Sequence, residues 1–212
     1  MKNKIGKIDN FFPPYMVQEL LAKFDSLPKK DNGLRINANT FVEQDFSKMF
    51  KEKIESFLKP YYSGWITHAT IYSDYHPGGI HSDGWIDTPE EGKLGYTFLI
   101  PLESEYNENA TLIFEETSEK AITYNGVTGL GQKGILSYEQ VDLPRSNSTM
   151  SKRDQEKWLP HLRTDSLPFN LKKVLRWEVG SAIHWPRVNL HASAWFPPGS
   201  KRKAIVFLTN EQ

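Results

Sequence analysis

The sequence predicts a mainly β domain of the α+β class, a sandwich or barrel of antiparallel strands preceded by two supporting helices. Three observations carry this. Before residue 60, apolar residues recur at helical spacing in two stretches. From Trp65 the period shortens to that of strands, with turn signals between the runs. Aromatic residues make up 13% of the chain, six of them tryptophan, which suits a β-rich core or an aromatic-lined pocket.

The elements follow in order. Pro13 and Pro14 sit where a helix begins, since proline's missing N–H costs nothing in a first turn. Val17, Leu20, Leu21 and Phe24 then form one apolar stripe, and Pro28 stops the helix. Residues 29–45 read as a loop with a short strand near Thr40–Val42. A second helix is expected from Ser47 to Leu58, burying Phe50, Ile54, Phe57 and Leu58, with Pro60 ending it. Strands are expected at Thr67–Tyr72, His81–Trp85, Leu94–Leu102, Ala110–Phe114, Val174–Val179, Ser181–Trp185 and Lys203–Thr209. Pro77-Gly-Gly79, the polar stretch Asp87–Lys93 and the Asn-rich Tyr106–Asn109 are the turns between them. Residues 115–172 carry a possible hairpin of Ala121–Tyr124 with Ile135–Tyr138 and a helical turn at Ser151–Leu159. This stretch reads as a lid-like insertion over the mouth of a pocket.

At 212 residues the chain fits one domain (1–212) better than two. Its parts are helical support (1–60), a β core (65–114 and 174–209) and the insertion (115–172). The 26 basic and 26 acidic residues cancel, so no overall field draws in nucleic acid or an anionic membrane. The absence of cysteine excludes disulfides, thiolate metal sites and cysteine nucleophiles. No run approaches the roughly 18 apolar residues of a membrane span. Met1–Asn10 has lysines but no apolar stretch behind them, unlike a secretory signal. A cytoplasmic protein is expected, in which the glycosylation-like Asn109-Ala-Thr111 and Asn147-Ser-Thr149 are coincidental.

The chemistry concentrates in two stretches. His81-Ser-Asp83 follows a Gly-Gly turn, and a His-x-Asp on one strand points both side chains to one face. His191, far downstream, supplies a third ligand. Two histidines and one carboxylate fill one face of an octahedron and leave the other open, as suits a non-haem Fe(II). His184 competes for the third position, but His191 stands better spaced from Arg202, which opens the last apolar run. His76 reads as a turn residue, and His68 and His161 have no partners in sequence. Gly129-x-Gly131-x-x-Gly134 lacks the following helix that dinucleotide binding requires. Glu90-Glu91 and Glu115-Glu116 are adjacent pairs that would point to opposite strand faces. Trp85, two residues past Asp83, and Arg187, four before His191, are the candidate substrate contacts.

His81-x-Asp83, His191 and Arg202 together resemble the Fe(II)/2-oxoglutarate-dependent oxygenases, particularly their prolyl-hydroxylase-like branch. The likeness covers residues 65–114 and 174–209, about two fifths of the chain. It implies a double-stranded β-helix, or jelly roll, with Fe(II) on His81, Asp83 and His191. It also implies that Arg202 binds the distal carboxylate of 2-oxoglutarate, which a guanidinium can grip with two parallel hydrogen bonds. Lys201 and Lys203 fall on the opposite strand parity. In that branch a tyrosine assists the basic residue. Its place falls here on Pro101, so the hydroxyl of Thr97 or Tyr72 is expected to serve. The implied activity is hydroxylation of a C–H bond in a small-molecule, amino-acid or peptide substrate, with succinate and CO2 as coproducts. The carboxylate in the ligand set speaks against halogenation. The missing second downstream arginine and the zero net charge speak against nucleic-acid demethylation. A cupin-like dioxygenase or isomerase without 2-oxoglutarate, and a non-catalytic ligand-binding jelly roll, are the competing readings.

Overall fold

The computed structural model describes residues 4–31, 35–39, 44–84, 92–119, 123–124, 149–162 and 167–211. The first helix, α1 (Pro14–Ser26), takes Pro14 as its first residue and buries Met16, Val17, Leu20 and Phe24. The second, α2 (Gln44–Leu58), starts three residues before the expected Ser47 and buries Ile54 and Leu58. A third, α3 (Lys152–Trp158), is capped at Ser151, whose hydroxyl accepts from the Asp154 N–H at 3.1 Å.

Among the described residues there are also twelve strands: β1 (Gly6–Ile8), β2 (Lys30–Asp31), β3 (Arg35–Asn39), β4 (Trp65–Asp74), β5 (Ile80–His81), β6 (Lys93–Ser104), β7 (Ala110–Thr117), β8 (Thr123–Tyr124), β9 (Leu171–Arg176), β10 (Ala182–Pro186), β11 (Asn189–Ser193) and β12 (Arg202–Glu211). They form two antiparallel sheets. One runs β1-β10-β6-β12-β4-β3-β2, the other β8-β5-β11-β7-β9. Non-consecutive neighbours in both are what a jelly roll requires.

Strand alternation sorts the side chains into layers. Tyr96, Phe98, Ile100 and Leu102 of β6, with Ile205 and Phe207 of β12, turn outward under α1 and α2. The alternate residues Leu99, Ala204 and Val206 turn inward to meet Ile113, Leu175, Trp177, Ile183 and Trp185 between the sheets. On the second sheet, Ala110, Leu112, Phe114, Leu190, Ala192 and Ala194 face the far side. There they pack on Met150, Trp158, Leu159, Leu162, Leu167 and Phe169. Helices thus back the larger sheet, the segment around α3 backs the smaller one, and the cleft between the sheets is left for the site.

Of the 115–172 stretch, residues 115–117 lengthen β7, and β8 pairs with β5. The described residues from 149 onward form the layer behind the second sheet. The expected strand at Thr40–Val42, residues 87–91 of the polar stretch Asp87–Lys93, Ile135–Tyr138 and the glycine-rich 129–134 lie outside the described residues. Gly180, between β9 and β10, has φ +80, and a Cβ there would stand 2.8 Å from the Phe12 carbonyl. That close approach lets the Phe12 N–H donate to the Gly180 carbonyl at 2.7 Å, fastening the chain before α1 to the sheet. No helix among the described residues is long and apolar enough to cross a membrane.

Leu159 is fully buried behind the second sheet. Leu159→Ala is expected to lower unfolding free energy by about 2–5 kcal/mol in urea titrations, whereas a surface-lid position would tolerate the change.

Candidate active site

His81 and His191 face each other across one register position of the β5–β11 pair. Their ring centroids lie 4.2 Å apart. The β11–β7 register shifts between Asn189 and His191, an irregularity of the kind that re-aims a side chain. Each ring is set by its own backbone. His81 Nδ1 lies 3.0 Å from the Gly79 carbonyl, and His191 Nδ1 lies 3.2 Å from that of Asn189. An Nδ1–H donated to a carbonyl leaves Nε2 as the lone-pair nitrogen on both rings. Both Nε2 atoms turn to Asp83: His191 Nε2 is 3.4 Å from Oδ2, and His81 Nε2 is 3.9 Å from Oδ1. The three ligand atoms all lie within 4.8 Å of one another. The donor set, with its Nδ1 atoms anchored, fits a divalent metal. The His81 side chain is 37% exposed and that of His191 only 7%, so the site opens on the His81 side.

Asp83 reaches this position by a different route from the one the sequence suggests. The strand ends at His81, so the two side chains do not simply share a strand face. Instead the Asp83 N–H donates to the Arg187 carbonyl at 3.1 Å. The Arg187 side chain returns the bond, with Nε donating to the Asp83 carbonyl at 2.9 Å and an Nη to that of Gly84 at 3.1 Å. Its other Nη donates to Asn210 Oδ1 at 2.7 Å on β12. Arg187, expected to touch substrate, is therefore a buried strut for the Asp83 turn. Its donors are spent on the Asp83 and Gly84 carbonyls and on Asn210. Thr97, expected beside the cosubstrate, donates its hydroxyl to Asp83 Oδ2 at 2.7 Å. Burial alone would raise the Asp83 carboxyl. When the His191 and His81 imidazoles are protonated, their charges, the Thr97 hydroxyl and Arg187 outweigh it and hold the group below its ordinary value.

A cavity of about 80 Å³ opens beside the three ligands, several times the space one water needs. Tyr72 and Asp74 of β4, Leu99, Trp185 and Arg202 line it. Arg202 opens β12 and is 1% exposed. Its guanidinium carbon stands 3.6 Å from the Trp177 ring centroid and 4.7 Å from that of Phe196. Its Nε lies 3.5 Å from Asp74 Oδ2, and an Nη donates to Asn109 Oδ1 at 3.4 Å. Trp185 packs on His191 with centroids 4.8 Å apart, and its buried indole N–H meets no acceptor among the described residues.

Tyr72 is thus the expected hydroxyl that lines the cavity with Arg202. Lys201 and Lys203 pair instead with Glu105 and Glu103. His184 points to the opposite face of β10, its ring between those of Phe98 and Tyr96, and cannot reach the other ligands. His161 Nε2 lies 3.3 Å from the Gly78 carbonyl and ties the α3 segment to the turn before His81. Trp85 lies outside the described residues. Sequence reasoning missed Asp74, Trp177 and Trp185. Asp74 shares strand parity with the noted Tyr72, and that parity was the available signal.

Neither the family models nor the curated proteins contain a match to this chain. Solved structures do match along nearly its whole length. One is an oxidoreductase of the 2OG-Fe(II) oxygenase family from Burkholderia pseudomallei, with TM-score 0.53 and 8% identity, over 94% of this chain and 80% of that one. Another is the epimerase SnoN in complex with Fe3+, alpha ketoglutarate and nogalamycin RO, with TM-score 0.54 and 10% identity, over 99% and 80%. The carbocyclase SnoK from nogalamycin biosynthesis gives 0.54 and 10% over 99% and 81%. The chain therefore has the fold of the 2-oxoglutarate–Fe(II) oxygenases, a jelly roll with added helices.

Two outcomes are expected. Thr97→Val removes the hydroxyl held by Asp83 and should weaken Ni(II) or Co(II) binding about 10–100-fold in calorimetric titration. Burial holds the His161 and His184 imidazoles down at about 4, against 6.5 when exposed. Between these values the unfolded chain binds more protons, so stability falls as pH drops through the window. Each histidine accounts for up to about 3 kcal/mol. The thermal midpoint should fall from pH 6.5 to pH 4, and His184→Gln should flatten that slope.

Proposed function

We propose that this protein is an Fe(II)/2-oxoglutarate-dependent dioxygenase of the prolyl-hydroxylase-like kind, hydroxylating a C–H bond of a small-molecule, amino-acid or peptide substrate. The observation that supports this most is the convergence of His81, Asp83 and His191 within 4.8 Å, beside a cavity that also holds a buried arginine. A ligand-binding jelly roll without catalysis has no need of two imidazoles anchored through Nδ1 and turned toward one carboxylate.

A bound iron would supply O2 activation coupled to oxidation of 2-oxoglutarate: O2 is the oxidant, one of its atoms entering the new hydroxyl and the other succinate as CO2 leaves. The chain's own residues do the holding. His81 and His191 present Nε2, and Asp83 presents its carboxylate. Thr97 and Arg187 keep that carboxylate in place and ionised. Arg202 receives the distal carboxylate of the cosubstrate, with the Tyr72 hydroxyl beside it. Leu99, Val206 and Trp185 give the cavity apolar walls that exclude bulk water. SnoN and SnoK are named for epimerisation and carbocyclisation, so the choice of hydroxylation rests on the resemblance to the prolyl-hydroxylase-like branch and not on the fold.

The test is anaerobic Fe(II) titration with and without 2-oxoglutarate, followed by the weak visible charge-transfer band of the metal chelate. The wild type should show the band. Arg202→Ala should lose it at cosubstrate concentrations that saturate the wild type while still binding metal, and Asp83→Ala should lose the metal. A wild type that binds Fe(II) but never develops the band would overturn the cosubstrate assignment.

A further inference from the structure

We infer that Asp74 sets the charge selectivity of the cavity: by sharing the Arg202 guanidinium, it weakens binding of a 2-oxo acid with an anionic tail. This rests on the function proposed above. Tyr72 and Asp74 alternate onto the inner face of β4, and β12 pairs antiparallel with β4 through Lys203↔Ser73. The next position outward sets Arg202 against Asp74, and the Nε–Oδ2 distance is 3.5 Å. The side chains are 2% and 3% exposed, so water screens neither charge.

The guanidinium has two faces and a limited set of N–H edges. Trp177 and Phe196 lie against its carbon at 3.6 and 4.7 Å, Asp74 stands at Nε, and Asn109 takes an Nη. A cosubstrate's distal carboxylate must come in along the terminal nitrogens, and there it meets a second carboxylate already balanced against the same cation. Like charges sharing one partner cost affinity. An uncharged tail of equal length pays no such cost.

The experiment is the same anaerobic Fe(II) titration, run with 2-oxoglutarate and with 2-oxopentanoate, which has the same chain length and no charged tail. Asp74→Asn keeps a polar side chain of the same size beside Nε, removes the charge and offers an N–H to the incoming carboxylate. It should tighten 2-oxoglutarate by about tenfold or more and leave 2-oxopentanoate nearly unchanged. A 2-oxoglutarate affinity that stays the same or weakens would overturn the inference while leaving the function intact. Should Asp74→Asn fail to fold, the wild type decides. A preference for 2-oxoglutarate below about tenfold supports the inference, and a larger one overturns it. If neither oxo acid produces a band in either protein, the proposed function falls, and the role of Asp74 with it.

Discussion

The register that sets His81 of β5 against His191 of β11 holds together two segments far apart in sequence, and the site depends on it. A strand of two residues cannot fix its own register. The pairing is imposed from the other side, where β11 lies along β7 and β7 along β9. It is also imposed by side-chain alternation. Leu190 and Ala192 belong to the apolar layer against the α3 segment, so a slip of one residue would drive His191 into that layer and expose two apolar side chains to the cleft. The hydrophobic pattern of β11 thus protects the cleft-facing orientation of a polar residue between its apolar neighbours.

Two buried arginines divide the remaining labour. Arg187 spends its donors on carbonyls of the turn after β5 and on β12, making a bridge between sheets where strand pairing stops. Arg202 lies under aromatic rings with a carboxylate at its edge. Burying a guanidinium is costly unless its hydrogen bonds are met or its charge is balanced. The first solution yields rigidity, the second a charged group at the end of a cavity.

The sequence made the β core legible because its strands alternate and its turns carry glycine, proline and asparagine. The expected strands over 67–72, 94–102, 110–114 and 203–209 all fall within observed ones. That His81, Asp83 and His191 come together beside Arg202 was legible from spacing and resemblance. Less visible were the contacts made across the fold. Thr97 and Arg187 looked like pocket residues, yet both serve Asp83, because the strand expected to carry that residue stops two positions short. No local pattern signals where a strand ends when the following turn is held by a residue about a hundred positions later. Strand β11 is absent from the strands expected of the sequence: Asn189–Ser193 mixes polar and small residues, and its strand character comes from the neighbours it pairs with.

Both imidazoles are oriented by the carbonyl two residues before them, of Gly79 and of Asn189. Side-chain partners at this job can be erased by a single codon change, but a main-chain oxygen is present whatever residue carries it. Neighbouring positions are therefore free to drift, and the cavity walls can be refitted to new molecules without disturbing which nitrogen of either ring is offered to the metal.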